Sequence, residues 1–449
     1  MGIRVAVIGA GAAGLCAARH ILFWPDVFDS PVVYELTEHV GGTWFYEDRV
    51  GTYDNGYPIH SSMYGNLSPF LWDSLSAFRT NLPKEVMMFP DFPFDDHLPS
   101  FLHHTSVQQY LEKYCESRDI APHIKFNTVV EKVKPVSMET ETGGAVTWEV
   151  ISRDTCGDQN TQTFDSVFVC SGHYSDPHLP YIPGIEDFKG KVFHSHWYRH
   201  PEPFANKSVV VLGGGASGVD ISIELAHVHA QVILSHNKPS LAFPLHLGIQ
   251  QATPVVKVSA DGSLHFQDGS VTKADVLLLC TGYNFNFPFL CLSELGLEIR
   301  DHIVTPLYKF LLPPAFPSIF FIGICKIISP FVHFHCQVKF ALAILEGSVK
   351  LPNQLEIEKE AQGEMQRKLE KGVQVKHLLN MDSEQWGYYL ELARMGRFTP
   401  LNPVIQSLYE EVGRQRRKQP LTYKQMNYRL IDATQWEILE FPPEQADKV

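Results

Sequence analysis

A chain of 449 residues, 44% of them hydrophobic, can bury a large core, and its length argues for two or three domains. Its formal charge of −13 argues against a nucleic-acid partner, because duplex binding rests on a concentrated basic surface. Its eight cysteines form no closely spaced pair, which argues against a dithiol redox enzyme and for reduced, buried thiols in an intracellular protein.

The first predicted element is a buried strand over residues 5–8, running straight into Gly9-Ala10-Gly11-Ala12-Ala13-Gly14 and a helix through residue 21. The three glycines have separate tasks: Gly9 makes the tight turn, Gly11 lets a pyrophosphate approach the helix N-terminus, and Gly14 packs helix on strand. A second strand over residues 32–36 carries Glu35, about twenty residues on, where a carboxylate meets ribose hydroxyls and repels a 2′-phosphate. This unit is read as an FAD site. Gly41-Gly42-Thr43-Trp44 follows, either an ordinary turn or a passage of the backbone close under a cofactor.

Residues 51–94 are rich in Tyr, Met, Phe, Pro and Asn without periodicity, and either line a ligand cavity or pack as ordinary loops. Residues 79–85 form a polar island within them. An amphipathic helix is predicted over 105–117, and strands over 124–133, 145–152 and 163–171, with turns at Gly143-Gly144 and 154–160. The three prolines of 176–184 mark a domain crossing.

A second strand, residues 209–212, feeds Gly213-Gly214-Gly215-Ala216-Ser217-Gly218 and a helix to about residue 229. The next strand, 231–235, ends not in an acid but in Ser235-His236-Asn237-Lys238. A hydroxyl, an imidazole and a cation suit the 2′-phosphate of NADPH, although Lys238 could equally be plain surface charge. Short strands over 255–258, 264–267 and 275–280 follow, with a turn at Asp268-Gly269, and Thr281-Gly282-Tyr283 closes the unit. Residues 285–289 form the aromatic return link, and 318–323 a buried strand ending in Gly323. Helices are predicted over 335–346, 354–372 and 382–395, and the tail over 406–443 reads as folded, with 414–418 a solvated helix face. The apolar tract 319–328 is far short of the ~20 residues of a spanning helix. No basic leader precedes the first strand, so a cytoplasmic protein without a membrane span is expected. No metal-binding cluster is expected either.

Phe188, Gly190, His194 and Tyr198 form FxGxxxHxxx(Y/W) directly before the second glycine loop. With both loops, GGTW at 41–44, SSMY at 61–64, TNLPKEVM at 80–87, FPDFPF at 89–94, CSGHY at 170–174 and CTGY at 280–283, the chain closely resembles the class B flavoprotein monooxygenases, and among them the flavin-containing monooxygenases. The resemblance spans nearly all of residues 1 to about 350. It implies an α/β fold of two Rossmann-like dinucleotide-binding domains, the NADPH domain inserted in the FAD domain. The corresponding boundaries are 1–178 and 318–449 for the FAD domain, 205–284 for the NADPH domain, and crossing links at 179–204 and 285–317.

The resemblance implies that Asn81 is the active-site asparagine, and it adds Thr80, Val130, Tyr198, Gly323 and Gln337 to the cofactor-binding set. His194 is read as a linker residue coupling domain position to NADPH binding rather than as an acid–base catalyst. The implied reaction uses NADPH, O2 and a C4a-(hydro)peroxyflavin to oxygenate a small-molecule amine or sulfide. Similarity to the shorter enzymes of insects and microbes, and among them most to the insect-type ones, suggests tertiary-amine plant alkaloids such as senecionine-type pyrrolizidines; a homo-oligomer is compatible with the sequence. The segment 66–78 departs from the family pattern and leaves the substrate mouth open. Three alternatives stand beside this reading: a Baeyer–Villiger monooxygenase using Arg79, an NADPH oxidase or flavin reductase, and a silent nucleotide-binding protein.

Overall fold

The four consecutive apolar residues of β1 (Val5–Ile8) are buried on both faces, which is why the run lacks polar alternation. The structure, a computed structural model, describes residues 2–53, 59, 79–137, 146–237, 248–419 and 422–439. The motif at 61–64, the departing segment 66–78, the glycine pair at 143–144 and Lys238 lie outside the described residues.

From β1 the chain enters α1 (Ala12–Leu22), whose small alanines let it lie close on the sheet, and returns in β2 (Val32–Tyr34). After α2 (Lys84–Met87) and α3 (His104–Ser117) comes β3 (Ile124–Lys125). β4 (Val129–Ser137), β5 (Val146–Arg153) and β6 (Gln159–Phe164) form a separate antiparallel sheet, and β7 (Ser166–Val169) lies back along β1. The single strand expected over 163–171 is therefore two strands in two sheets. Asp165 makes the break: its carboxylate accepts from the Arg4 backbone N–H at 2.8 Å and from the Arg4 guanidinium, and its own N–H donates to the Arg4 carbonyl.

The chain crosses over through β8 (Asp176–Pro177) and β9 (Lys191–His194) to β10 (Ser208–Leu212), α4 (Ala216–His227), β11 (Gln231–Ser235) and β12 (Gln250–Ala252). β13 (Val255–Val258), β14 (Leu264–Phe266) and β15 (Val271–Thr272) form a small antiparallel sheet, then β16 (Val276–Leu279) and β17 (Tyr283–Asn284) follow. β9, expected to be part of a link, is instead the edge strand of the second parallel sheet. It runs beside β16 from Lys191↔Val276 to His194↔Leu279. Four residues after a proline-rich stretch carry too little pattern to announce a strand, and the partner that makes them one lies eighty residues on.

The remainder comprises β18 (Glu298–Arg300), β19 (Ile303–Thr305), β20 (Ile319–Phe321), α5 (Pro330–Leu345), α6 (Gln354–Glu370), α7 (Glu384–Gly396), α8 (Pro403–Lys418), β21 (Asn427–Leu430) and β22 (Trp436–Leu439). α5 begins five residues earlier than expected, because Pro330 sits at the first helical position, where its missing N–H costs nothing.

Two five-stranded parallel sheets result, ordered β20-β7-β1-β2-β3 and β12-β11-β10-β16-β9. All of the second lies in sequence between β7 and β20 of the first. Where the chain leaves and returns, β8 and β17 pair antiparallel, Tyr283 opposite Pro177. α1, α5 and α7 pack around the first sheet in one large core. The second sheet divides its core by strand periodicity: Val209 and Val211 face α4, and Val210 faces the β13–β15 side. The tail is folded onto α2, with Leu408, Val412, Tyr423 and Tyr428 packed against Val86 and Phe101. Among the described residues no helix is long and apolar enough to cross a membrane, and no acidic, His or Cys cluster could hold a metal.

Candidate functional site

The two glycine loops are built alike. Gly9 (φ +102°) and Gly213 (φ +122°) adopt backbone conformations that other residues rarely reach, each beneath the carbonyl of a strand-end cysteine, Cys170 or Cys280. A Cβ on Gly14 would stand 1.8 Å from the Gly9 carbonyl oxygen, and one on Gly218 1.7 Å from that of Gly213. Gly11 and Gly215 are the N-caps of α1 and α4, and neither helix receives a side-chain cap. The first-turn N–H groups of both helices are thus left for ligand oxygens, and the helix dipoles favour an anion there.

The strand after each helix differs. Gly9 N–H donates to the Tyr34 carbonyl and Gly213 N–H to the Ser235 carbonyl, both at 2.8 Å, so Ser235 corresponds to Tyr34 and His236 to Glu35. Glu35 is buried and fixed: Oε2 accepts from Ala10 N–H at 2.7 Å, and Oε1 from the Thr37 N–H and hydroxyl at 2.9 and 2.8 Å. That arrangement fits the ribose of FAD. Glu35→Ala is expected to raise the Kd for FAD by about tenfold to hundredfold, the cost of losing a charge-assisted hydrogen bond, read by flavin fluorescence titration.

At the second loop the Ser235 hydroxyl does not face outward as expected; it donates to the Thr253 carbonyl at 2.8 Å and accepts from Val255 N–H. His236 packs against Gly214 and places Nε2 3.0 Å from Gln251 Oε1. Its Nδ1 is buried without a hydrogen-bond partner among the described residues. An orphaned imidazole nitrogen where the first loop has a carboxylate fits NADPH.

A cavity of about 650 Å³ joins the loops. Of the sequence-predicted residues, Gly9, Gly11, Ala12, Ala13, Glu35, Gly41, Gly42, Thr43, Trp44, Thr80, Asn81, Val130, Ala216, Ser217 and Gly323 line it. Asn81 lies in the turn entering α2, and its Oδ1 accepts from the Tyr423 hydroxyl at 3.3 Å. The turn is held by Thr80, whose hydroxyl donates to the Leu82 carbonyl and accepts from Leu102 N–H.

Among the expected cofactor residues that do not line the cavity, Gln337, Thr281, Gly282 and Tyr198 are engaged elsewhere. The Gln337 amide is consumed inside the core, accepting from Gly323 N–H at 2.8 Å and donating to the Tyr388 hydroxyl at 2.9 Å. It shapes the Gly323 turn from behind. Thr281 donates to the His178 carbonyl, and Gly282 accepts from His178 N–H, so both tie the crossing strands together. Tyr198 is buried in the second core, where its hydroxyl donates to Glu224 at 2.7 Å.

Burial, opposed by the Tyr198 hydrogen bond and reinforced by Asp220, lifts the Glu224 carboxyl from its usual 4.5 to about 8. The folded state therefore holds a proton that the unfolded chain has released, and stability falls as pH rises from about 4.5 to about 8. Glu224→Gln is expected to remove that fall; thermal melts showing the same pH slope in both proteins would refute it.

His194 is wholly buried at the end of β9, with Nδ1 accepting from His196 N–H at 3.0 Å. Burial and the neighbouring His196 hold it down to about 4, and burial with the Lys326 charge holds His173, on the cavity wall, to about 3. Neither carries a proton to deliver at neutral pH. Arg79 is not among the lining residues. His173 and Tyr174 were within reach of the CSGHY motif. Asp220 on α4, Lys326, and Tyr409 and Arg416 on α8 also line the cavity and carried no local signal.

The family described as Flavin-binding monooxygenase-like matches residues 2–245 and 239–438. The chain is 34% identical over 440 residues to the flavin-containing monooxygenase FMO GS-OX-like 4 of Arabidopsis thaliana, over 94% of this chain and 93% of that protein. Among solved structures it is similar to S-allyl-L-cysteine S-oxygenase from Allium sativum, with TM-score 0.82, 32% identity and coverage of 94% and 95% of the two chains. It is also similar to Tmm from Pelagibacter sp. strain HTCC7211, with TM-score 0.79, 28% identity and coverage of 94% and 92%.

Proposed function

Because the chain belongs to the flavin-binding monooxygenase-like family and is an FAD- and NADPH-dependent monooxygenase with that family's N- or S-oxygenation chemistry, we propose that its own reaction is S-oxygenation of a small thioether. The observation that carries this reading is one cavity lined by the uncapped N-termini of α1 and α4 and by Asn81. The likeness to the garlic S-oxygenase supports sulfur as the atom attacked.

In this reading the α1 amides and Glu35 hold FAD, and the α4 amides and His236 hold NADPH. The element order supports treating the second sheet as a nucleotide domain inserted in the first, with β9 added to the span 205–284. Bound FAD, once reduced by NADPH, supplies the activation of dioxygen. The chain contributes binding, orientation and dryness. Asn81, its Oδ1 engaged by Tyr423, keeps its amide N–H groups to donate, and Trp44, Tyr174, Phe331 and Phe334 give the cavity apolar walls that exclude water. A thioether sulfur is already nucleophilic, so no general base is called for, in keeping with the neutral His173.

The test is turnover of a simple dialkyl sulfide with NADPH and labelled dioxygen. One labelled oxygen in the sulfoxide is expected; NADPH oxidation that yields hydrogen peroxide alone would overturn the reading. The aromatic walls also favour a second substrate class, tertiary amines, including pyrrolizidine alkaloids as in the insect-type enzymes, through cation–π contact. N-oxide from senecionine at a higher kcat/KM than sulfoxide would put that class first. A ketone serves as the Baeyer–Villiger control, and with Arg79 away from the cavity wall no ester product is expected.

A further inference from the structure

The tail brings an unexpected charge to the cavity. α8 crosses its wall and lines it with Tyr409 and, seven residues on, Arg416. Two turns of helix separate them, so both side chains lie on one face. Other charged groups on or behind that wall are matched. Glu35 is held by Ala10 and Thr37, Asp220 by Lys424 at 3.7 Å, and Lys326 lies over the Phe285 ring at 5.0 Å. Lys424 also donates to the Arg79 carbonyl at 3.1 Å, and Arg414, two residues before Arg416, pairs with Glu411 one turn back.

Arg416 enters into no hydrogen bond or ion pair among the described residues, although it is partly buried. Its charge acts on the Tyr423 hydroxyl and the Lys424 ammonium, and that hydroxyl is the donor to Asn81. The guanidinium and Asn81 line the same cavity. A helix C-terminus favours cations in general, and Arg417 and Lys418, both exposed, need no more explanation than that. Arg416 differs in lining the cavity with no ion pair among the described residues, the wall carboxylate Asp220 being paired with Lys424. A half-desolvated guanidinium gains most from a planar anion able to accept its paired N–H donors.

We propose that Arg416 is an anion-binding residue of the catalytic cavity, and that the thioether oxygenated beside Asn81 carries a carboxylate or a similar planar anion. The proposal rests on the reading of the cavity as an oxygenation site, but its test does not require turnover. The probes are 3-(methylthio)propionate and its methyl ester, which share the thioether and differ in the negative charge and one methyl group. Their binding to the FAD-loaded protein in the presence of NADP+ is measured by calorimetry for wild type, Arg416→Met and Arg416→Lys, with flavin absorbance confirming that each variant is folded.

Wild type is expected to bind the acid about tenfold or more tightly than the ester. Arg416→Met should abolish that preference by weakening the acid about tenfold while leaving the ester within about twofold, and Arg416→Lys should retain part of it. The KM for NADPH should be unchanged. Equal binding of acid and ester by wild type would overturn the proposal, as would equal weakening of both in Arg416→Met. A raised KM for NADPH with the acid preference intact would also overturn it, assigning the guanidinium to the nucleotide phosphates. Absence of labelled sulfoxide in wild type would count against S-oxygenation alone, since the binding preference is read separately.

Discussion

Gly14→Ala is expected to yield protein without flavin absorbance and with a folded state weakened by about 2–3 kcal/mol, whereas Gly11→Ala, three residues earlier, should lose flavin but keep the stability of the apoprotein. The difference lies in what each new methyl would meet. At Gly14 it would stand 1.8 Å from the Gly9 carbonyl oxygen, so α1 must move off β1 or the loop must open. Both movements disturb the centre of the first sheet, where Val5 to Ile8 pair on two sides at once. At Gly11 the methyl would lie 3.6 Å from Gly42 Cα, an ordinary contact, and would obstruct only the space above the helix N-terminus. Thermal melts of the apoproteins together with flavin titration separate the two effects. Equal stability losses would show that Gly11 serves packing and not the close approach of a pyrophosphate.

Asn81→Ala is expected to lower sulfoxide formation about a hundredfold while NADPH is still oxidised and flavin stays bound, with the missing oxygen recovered as hydrogen peroxide. The magnitude is that of one preorganised hydrogen-bond donor in a water-excluded site. Asn81 belongs to a turn whose shape is set by Thr80 and the start of α2, so its removal leaves the backbone supported. Tyr423→Phe should reproduce the same partition between sulfoxide and peroxide at a severalfold smaller scale, because it frees the amide without deleting it. If Asn81→Ala slows NADPH oxidation and oxygen transfer in equal proportion, the residue acts before dioxygen does. Its proposed place in the reaction would then be wrong.

The similar proteins compared come from plants and Pelagibacter, and the insect-type likeness read from the motifs is not what they display. The segments used for that likeness, 80–87 and 89–94, lie at and beside Asn81, which lines the cavity. One wall of the cavity is built in part by α8, in the tail, which the motifs do not cover.

The sequence by itself determined the two nucleotide units, because each compresses its physics into one short stretch: an apolar strand, three spaced glycines and a helix start. It likewise placed Glu35 beside the first loop, where its carboxylate accepts from Ala10 N–H. Tertiary structure decided what depends on partners far along the chain. Tyr198 and Gln337 look like cofactor residues in one dimension and prove to be satisfied by Glu224, Gly323 and Tyr388 in three. The segment 191–194 became a strand only beside β16, and His236 rather than Ser235 came to match Glu35 only through the Gly213 hydrogen bond. Arg416 reaches the cavity because the tail folds back over α2, burying Leu408, Val412 and Tyr423 there. Local periodicity shows which face of α8 is apolar; only the packing of that face shows where its arginine points.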